Sequence, residues 1–308
     1  MENPLFKSGF IAVCGKPNVG KSSIINAIIG QKIVITSDKP QTTRNKINCI
    51  YTQPHCQMVF VDTPGIHKPL HKFGEYLVKI AVNAVKGTDA ILFVVDACEG
   101  IRASDEIVAD IVRRSGVKAV LAINKMDIAK TENVAQEMEN KIRSICPNIT
   151  DTVNVSAKSG KNISTLVQKL EDMMPQGPMY YPQDEVTDKP SRFIVSELIR
   201  EKILYLTQQE VPHSSAVVVE DFEQRENGTL YIRANIYLER DSQKGIVIGK
   251  DGAMIKQIGQ LARKDIERMF EEKVFLDLFV KVKDKWREND FLIMNTMGFK
   301  DEFKKGEK

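Results

Sequence analysis

Long hydrophobic runs are missing from this sequence of 308 residues. The longest apolar strand-like segments, ILFVV and AVLAI, are far shorter than the roughly 18 residues that a membrane-spanning helix needs. The first residues, MENPLFKSGFIAV, show no basic start, long apolar core or cleavage site of a secretory signal peptide. We therefore expect a cytoplasmic protein that is not embedded in a membrane.

Cysteines are few, and their pattern excludes a disulfide framework. The five cysteines are odd in number and scattered, and none belongs to a Cys-x-x-Cys pair. This usage is typical of a reducing compartment, in which free thiols act as small packing residues.

A strong excess of either charge is also missing, because the formal net charge is only +3. The charges are nevertheless uneven in the second part of the chain. Residues 181–243 carry 7 basic and 12 acidic side chains, whereas residues 244–287 carry 11 basic and 7 acidic ones. This distribution predicts a local anion-binding face within an otherwise acidic domain.

What the sequence does contain, over its first 172 residues, is an alternation of short apolar runs and helical periods. The runs GFIAVC, KINCIYT, QMVFV, AILFVV, KAVLAIN and TVNVSA predict strands, and segments such as FGEYLVKIAVNAV and SDEIVADIVRR predict helices. The alternation is typical of βαβ units, so we predict an α/β fold with a mainly parallel sheet and helices on both faces. The short connection TQPH predicts an antiparallel hairpin between the second and third strands.

Residues 173–190 interrupt this pattern with four prolines in eighteen residues, which neither a helix nor a central strand tolerates. We therefore predict a first domain over residues 1–174 and a linker over 175–190. A second, smaller α+β domain would follow over 191–287, and a tail over 288–308. The predicted order in the second domain is helix, strand, strand, glycine loop, helix, strand.

Residues 15–22, GKPNVGKS, follow a predicted strand and open a predicted helix, which is the context of a phosphate-binding loop. Glycines let backbone N–H groups turn towards phosphates, and the helix start adds partial positive charge. Lys21 would neutralise the β- and γ-phosphates, and Ser22 would ligate Mg²⁺. The predicted cradle comprises Gly15, Lys16, Pro17, Asn18, Val19, Gly20, Lys21 and Ser22.

Two further segments fit a nucleotide switch. After the strand QMVFV, Asp62 would hold Mg²⁺ through water, and the Gly65 N–H would contact the γ-phosphate. The polar segment KPQTTRNK can place a threonine hydroxyl on Mg²⁺, with Thr43 as the first choice and Thr42 as the second. The predicted Mg²⁺ ligands are thus Ser22, Thr43 and Asp62, and the predicted switch segment comprises Asp62, Thr63, Pro64, Gly65 and Ile66.

Residues 124–127, NKMD, follow the strand KAVLAI and can select a base. The Asp127 carboxylate can accept hydrogen bonds from guanine N1–H and the 2-amino group, which adenine lacks. Asn124 would meet the 6-oxygen side or tie this loop to the cradle, and the Ala157 N–H could meet the same oxygen. The predicted base site comprises Asn124, Lys125, Met126, Asp127, Ser156, Ala157 and Lys158, with the Lys125 stem along the base.

These five motifs, in this order, resemble the translation-factor-related GTPases over residues 9 to about 172. The resemblance implies a P-loop GTPase fold, GTP or GDP as the bound nucleotide, Mg²⁺, and a switch that changes shape on hydrolysis. The catalytic residues would be Asn18, Lys21, Thr43 and Gly65.

Ile66 occupies the position at which small Ras-like GTPases carry a glutamine that orients the attacking water. An isoleucine there resembles the hydrophobic-substituted GTPases. Relatives with an asparagine at the place of Asn18 use it to help bind K⁺ beside the phosphates, which implies a slow, K⁺-stimulated hydrolysis. The alternative is that Asn18 is simply a good turn former. His67 is a further candidate for handling water.

Residues 249–252, GKDG, follow two predicted strands and precede a predicted helix. A Gly-x-x-Gly loop in this setting holds about four nucleotides of single-stranded RNA in KH domains, and the order of elements resembles a type II KH domain. Ile246, Val247 and Ile248 would floor the groove. The predicted RNA-binding residues are Lys244, Ile246, Ile248, Gly249, Lys250, Asp251, Gly252 and Lys256.

Residues 175–202, PQGPMYYPQDEVTDKPSRFIVSELIREK, resemble the joint between the two domains of the Era GTPases. This joint, the GTPase motifs and the KH pattern together cover nearly the whole chain. One departure is Asp251, which adds a negative charge where the KH loop often carries glycine or a basic residue.

The resemblance to Era GTPases implies a GTP-hydrolysing switch that binds small-subunit ribosomal RNA near its 3′ end. It implies a role in maturation of the small ribosomal subunit and a peripheral contact with the inner face of the cell membrane. We expect a monomer. The alternative that Ile66 raises is a nucleotide-gated RNA-binding scaffold with negligible hydrolysis.

Overall fold

The computed structural model describes residues 6–37, 39, 42–44, 46–66, 79, 81–129, 133–208 and 210–284. The chain divides after Asp188 into two compact units. Within the described residues, no helix combines the length and apolar character needed to cross a bilayer. All five cysteines carry free thiols, and four of them are buried.

The first unit is built on a six-stranded sheet in the order β2-β3-β1-β4-β5-β6. All neighbouring strands are parallel except the antiparallel pair of β2 and β3. This confirms the mainly parallel sheet and the predicted hairpin. The strands are β1 (Lys7–Cys14), β2 (Ile47–Gln53), β3 (Cys56–Asp62), β4 (Ala90–Asp96), β5 (Ala119–Asn124) and β6 (Ile149–Asn154).

Helices cover this sheet because strands β3, β4 and β5 are buried at every position and need apolar cover on both faces. The helices are α1 (Lys21–Ile29), α2 (Ala103–Ser115), α3 (Asn133–Ile145) and α4 (Ile163–Asp172). One hydrophobic core joins α2 and α3 to the sheet, while α1 packs against α4. Residues 81–85 are also helical, and most of the predicted helix before them lies outside the described residues.

The proline-rich segment that follows α4 lies along the first unit. The Ser8 N–H donates to Pro175 O at 3.0 Å, and the Ile50 N–H donates to Val186 O at 2.9 Å. The Asn48 N–H donates to the Asp188 carboxylate at 3.1 Å. Most of the predicted linker is therefore fixed by hydrogen bonds to β1 and β2, and the division between units falls near its end.

Gln57, fully buried in β3, is the main side-chain anchor of this segment. Its Oε1 accepts from the N–H groups of Tyr180 and Tyr181 at 2.8 and 3.0 Å. Its Nε2 donates to Tyr181 O at 2.9 Å and to Thr52 Oγ1 at 3.0 Å. One amide thus satisfies three backbone groups that a proline-rich segment cannot pair in a helix or sheet.

The second unit packs helices against a three-stranded sheet in the order β7-β8-β9. Strand β7 is antiparallel to β8, and β8 is parallel to β9. Its elements are α5 (Ser191–Leu206), α6 (Val211–Ser214), β7 (Ala216–Gln224), β8 (Leu230–Leu238), α7 (Asp241–Ile248), a 3₁₀ turn (Lys250–Gly252), α8 (Ala253–Phe270) and β9 (Val274–Val282). The predicted tail over 288–308 lies outside the described residues.

The predicted order of elements in this unit was incomplete, because it omitted the short helices α6 and α7. No helix was predicted over residues 244–248, KGIVI, whose β-branched residues and glycine are poor helix formers. The Gln243 side chain instead accepts from the N–H groups of Glu239 and Arg240, which stabilises the first turn of α7. Burial of Val247 in the core then overrides the local propensity.

We predict that Gln57→Ala releases the proline-rich segment locally. The substitution leaves the part-buried N–H groups of Tyr180 and Tyr181 without their shared acceptor, which costs about 1–3 kcal/mol. Hydrogen exchange followed by mass spectrometry should show the peptide over residues 178–183 exchanging at least about tenfold faster. Gln136→Ala, which removes an exposed amide bonded to Asn140, is the matched control and should leave this peptide unchanged. Unaltered exchange in Gln57→Ala would contradict the anchoring role.

Candidate functional site

The phosphate-binding loop connects β1 to α1, and both its backbone conformation and one close contact require glycine at position 20. Gly20 has φ 94°, a left-handed conformation that is unfavourable for residues with a Cβ atom. A Cβ atom there would lie 2.2 Å from Asn124 Nδ2. The Asn124 amide in turn donates to Val19 O at 2.9 Å. The tight turn therefore brings the base loop directly against the cradle.

Lys21, at the start of α1, is a buried cation held by backbone oxygens. Its Nζ donates to Gly15 O at 3.1 Å and to Lys16 O at 3.0 Å. Burial lowers the pKa of the Lys21 ammonium to about 8, while the Asp62 carboxylate opposes that shift. A phosphate beside Lys21 would stabilise its charged form, as the cradle prediction requires.

Three side-chain oxygens from separate segments, two hydroxyls and one carboxylate, meet beside Lys21. Ser22 Oγ lies 3.0 Å from Asp62 Oδ2 and 3.2 Å from Thr43 Oγ1, and Thr43 Oγ1 lies 3.4 Å from Asp62 Oδ2. The Thr42 hydroxyl instead donates to Lys39 O at 2.6 Å. The structure thus brings together the three predicted Mg²⁺ ligands, with Thr43 rather than Thr42 among them.

The chemistry of this cluster fits a magnesium ion. Mg²⁺ prefers hydroxyl and carboxylate oxygens such as these. Asp62 Oδ1 is buried and has no hydrogen-bond partner among the described residues. Burial raises the pKa of Asp62 to about 6, against the opposing effects of Lys21 and of the Ser22 and Thr43 hydroxyls. A divalent cation would compensate this buried carboxylate.

The switch segment after Asp62 packs tightly on the phosphate-binding loop. The Thr63 hydroxyl donates to Val13 O at 2.9 Å, and the Ile66 N–H donates to Gly15 O at 3.2 Å. A Cβ atom on Gly65 would lie 2.6 Å from the Pro17 nitrogen, so a side chain cannot be accommodated there. Pro64 is buried beside them.

The Ile66 side chain points away from the nucleotide cavity. It is 1% exposed and belongs to the hydrophobic core formed with β4, β5 and α2. In this conformation Ile66 is a packing residue, which explains an apolar side chain at a position that elsewhere handles water. His67 lies outside the described residues.

The two predicted base-binding segments meet at the ends of β5 and β6. The Ala157 N–H donates to Asn124 Oδ1 at 3.1 Å, and the Ser156 hydroxyl donates to Asp127 Oδ1 at 2.7 Å. Of the two roles predicted for Asn124, the structure shows the one that ties its loop to the cradle. Met126 packs against the core and Lys158 is exposed.

Sequence reasoning missed the acidic residues that hold two lysines of the site. Lys125 Nζ forms an ion pair with Asp96 at 2.6 Å. The Lys16 side chain forms ion pairs with Asp105 and Glu99, both at 2.9 Å, so its backbone is the part of Lys16 that faces the cradle. These pairs join residues far apart in the chain, and no motif in the sequence signals them.

The cavity at this site has a volume of about 50 Å³. Asn18 lies on its exposed rim in a left-handed conformation with φ 67°. The walls also include part of the segment that follows α1. The lining residues are Pro17, Asn18, Gly20, Lys21, Ser22, Ser23, Ile35, Thr36, Ser37, Thr42, Thr43 and Gly65.

In the second unit, the Gly-x-x-Gly pattern forms a turn between α7 and α8. Gly249, Asp251 and Gly252 all have positive φ angles, of 72°, 52° and 76°. Asp251 tolerates this conformation better than most non-glycine residues. A Cβ atom on Gly249 would lie 2.7 Å from Met254 Cβ, so glycine is needed for the loop to pack on α8. The turn presents exposed Lys250 at the start of the 18-residue helix α8.

The prediction that Val247 floors an RNA groove was wrong, because this side chain is fully buried in the core of the second unit. Its neighbours on α7 face outwards to different extents. Ile246 is 47% exposed, while Lys244 and Ile248 are half-buried. Lys256 is exposed in the first turn of α8. The remaining predicted RNA-binding residues therefore surround one surface formed by the end of α7, the turn and α8.

A nucleotide-binding α/β unit followed by a unit with a Gly-x-x-Gly turn defines a class, the P-loop GTPases with a C-terminal KH domain. Two family models agree with this class. The model of 50S ribosome-binding GTPases matches residues 10–125, and the model of KH domains matches residues 210–287.

Curated relatives extend the similarity over almost the whole chain. GTPase Era of Thermotoga maritima is 56% identical over 298 residues, which cover 97% of this chain and 99% of the relative. GTPase Era of Carboxydothermus hydrogenoformans is 45% identical over 294 residues, which cover 94% of this chain and 97% of the relative. The chain belongs to the Era GTPase family and is a GTPase.

A solved structure of Era in complex with MgGDPNP and nucleotides 1506–1542 of 16S ribosomal RNA has a TM-score of 0.90 at 34% identity. The structural match covers 94% of this chain and 98% of the Era chain. A variant of Aquifex aeolicus Era bound to GDP·AlF4⁻ has the same TM-score and identity. These similarities confirm the P-loop GTPase and KH folds. The curated relatives are named GTPases, which argues against the alternative of a nucleotide-gated RNA-binding scaffold with negligible hydrolysis.

We predict that Mg²⁺ loses its hold on the bound nucleotide as the pH falls through about 6. The pKa of Asp62 is raised to about 6, so the carboxylate that would bind Mg²⁺ is largely ionised at pH 7.5 and largely protonated at pH 5.5. At a Mg²⁺ concentration below saturation, the factor by which Mg²⁺ slows GDP dissociation should fall by up to about fourfold between these pH values, because protons compete with the metal for the carboxylate. Equal Mg²⁺ protection at both pH values would contradict this role of Asp62. In Asp62→Asn, Mg²⁺ should slow GDP dissociation little at either pH value.

Proposed function

We propose that this GTPase binds small-subunit ribosomal RNA near its 3′ end and acts in maturation of the small ribosomal subunit. The observation that carries the proposal is the union, in one chain, of the Ser22, Thr43 and Asp62 oxygen cluster with a Gly-x-x-Gly turn before a long helix. The Era structure of the same fold holds both MgGDPNP and 16S ribosomal RNA. The description of the GTPase family model mentions the 50S subunit, but that model matches only residues 10–125. The similarity to Era over nearly the whole chain therefore carries more weight.

In the proposed nucleotide site, Lys21 exchanges its backbone acceptors for the β- and γ-phosphates. Ser22, Thr43 and Asp62 would hold Mg²⁺, which would supply positive charge against the negative charge that develops on the phosphates. The Gly65 N–H contacts the γ-phosphate from the switch segment. Since Thr43 and Gly65 belong to different segments, both can respond to loss of that phosphate.

In the proposed base site, Asp127 accepts from guanine N1–H and the 2-amino group. The Ser156 hydroxyl, which donates to Asp127 at 2.7 Å, holds the carboxylate in place. A base without the 2-amino group would leave one of these acceptor positions unpaired, which weakens binding.

Water positioning does not involve the Ile66 side chain in this proposal, because that side chain is in the core. Asn18 on the cavity rim would instead help to bind K⁺ beside the phosphates, where a cation offsets transition-state charge. Its left-handed backbone also fits the simpler alternative that asparagine is present as a turn former. The two explanations differ in their dependence on the monovalent cation.

In the proposed RNA site, the turn at residues 249–252 admits the phosphates of a single strand, and Lys250 and Lys256 supply positive charge. Exposed Ile246 offers an apolar surface for bases. The N-terminal turn of α8 favours phosphate groups through its unpaired N–H groups.

We further propose that the protein acts as a monomer in the cytoplasm, with a peripheral contact to the inner face of the cell membrane. Free and mostly buried thiols support a reducing compartment. Gel filtration and fractionation of cells would test the oligomeric state and the localisation.

The potassium proposal predicts GTP turnover at least about tenfold faster in K⁺ than in Na⁺ at equal ionic strength. Asn18→Gly keeps the left-handed backbone but removes the side chain, so it should abolish most of the difference. Asn162→Gly is the matched control, since Asn162 also has a positive φ, of 59°, and caps α4. Equal turnover of the unmodified protein in both salts would leave only the turn-forming role.

The RNA proposal predicts that Lys250→Asp weakens binding of an RNA oligonucleotide from the 3′ end of small-subunit ribosomal RNA by about tenfold, and lowers its salt dependence. Fluorescence anisotropy with a non-hydrolysable GTP analogue bound measures this affinity. Lys264→Asp makes the same charge change at an exposed position further along α8 and is the control. A loss of RNA affinity of the same size in both variants would show a general charge effect and contradict a site at the turn.

A further inference from the structure

Asp96 ends β4 and lies beside Asn124 in the parallel register of β4 and β5. Its side chain is almost completely buried, at 2% exposure for the residue. Neither the phosphate-binding loop nor the base motif includes this residue. A buried carboxylate at the edge of a nucleotide site calls for an explanation, because burial without partners is costly.

Both oxygens of the Asp96 carboxylate have partners. Oδ1 accepts from the Cys98 N–H at 2.8 Å. Oδ2 forms the ion pair with Lys125 Nζ at 2.6 Å. The carboxylate is therefore fixed by its own loop on one side, and it holds a lysine of the base motif on the other.

Lys125 is held in an unusual backbone conformation for a lysine, with φ 65°. Its stem crosses from the base loop to the end of β4, so the ion pair determines its course. A second link runs in parallel, since the Ala97 N–H donates to Asn124 O at 2.9 Å. The base loop is thus attached to the end of β4 through both backbone and side chain.

The loop that follows Asp96 is also attached to the phosphate-binding loop. Glu99 forms an ion pair with Lys16 at 2.9 Å, and Lys16 pairs with buried Asp105 on α2 at the same distance. Residues 96–99 are consequently held at both the base end and the phosphate end of the site. This arrangement gives Asp96 a fixed position from which to orient Lys125.

We infer that Asp96 is a positioning residue for base recognition: it holds the Lys125 stem along the face of guanine and keeps the base aligned with Asp127. The inference rests on the proposed base-binding role of residues 124–127. Loss of the ion pair would let the base tilt, and a tilted base makes poorer hydrogen bonds to the Asp127 carboxylate. Asp96 would then affect the selection of guanine without touching the nucleotide.

The test is Asp96→Asn, which keeps the size of the side chain and an acceptor for the Cys98 N–H but removes the charge. We expect GDP to dissociate at least tenfold faster. The preference for GDP over inosine diphosphate, which lacks the 2-amino group, should fall at least threefold. Asp151→Asn is the matched control, because it removes a carboxylate paired with Lys169 at 2.7 Å on the far end of β6. An unchanged preference in Asp96→Asn would overturn the inference.

Lys125→Met separates the ion pair from general damage, since it retains an apolar stem and loses the ammonium. We expect it to speed GDP dissociation as Asp96→Asn does, and the double variant to show no further increase. Independent, multiplicative effects would overturn the inference. Should Asp96→Asn fail to fold, an unaltered rate of GDP dissociation in Lys125→Met would by itself overturn the inference.

Asp127→Ala distinguishes this inference from the proposed base site itself. If Asp127→Ala retains the preference for GDP over inosine diphosphate, the proposed site is wrong. If Asp127→Ala loses that preference while Asp96→Asn retains it, only the positioning role of Asp96 is wrong.

Discussion

The side-chain amide of Asn124 joins three loops that come from different parts of the first unit. It donates to Val19 O in the phosphate-binding loop and accepts from the Ala157 N–H after β6. Gly20 must be glycine because this amide approaches so closely. The carboxyl ends of β1, β5 and β6 lie at one edge of a parallel sheet, and Asn124 converts that proximity into a single rigid site. The phosphate and base ends of the site therefore share one hydrogen-bonded centre.

Around this centre the fold maintains buried charges that are only partly compensated. The pKa of Lys21 is lowered to about 8 and that of Asp62 is raised to about 6, in both cases mainly by burial. Each charge opposes the shift of the other, but Asp62 Oδ1 has no partner among the described residues. Such an arrangement lowers the stability of the ligand-free site and favours binding of an anion together with a divalent cation.

Most of the nucleotide site could be predicted from the sequence because its residues occur in short, contiguous motifs at the ends of apolar strands. Thr43 could be preferred over Thr42, although only the structure shows the hydroxyl of Thr43 beside Ser22 and Asp62. The ion pairs of Lys16 and Lys125 could not be predicted, because their acidic partners are far away in the chain. Burial of Ile66 and formation of α7 likewise depend on tertiary packing, which overrides local propensity.

The proline-rich segment has a structural reason to follow the first unit so closely. Strand β2 is an edge of the six-stranded sheet, and an uncovered edge promotes unwanted pairing with other chains. Hydrogen bonds from Ile50 to Val186 and from Asn48 to Asp188 cover that edge up to the last residue of the unit. Thr43 precedes Asn48 by only five residues. The oxygen cluster and the covered edge are therefore joined by a short stretch of chain.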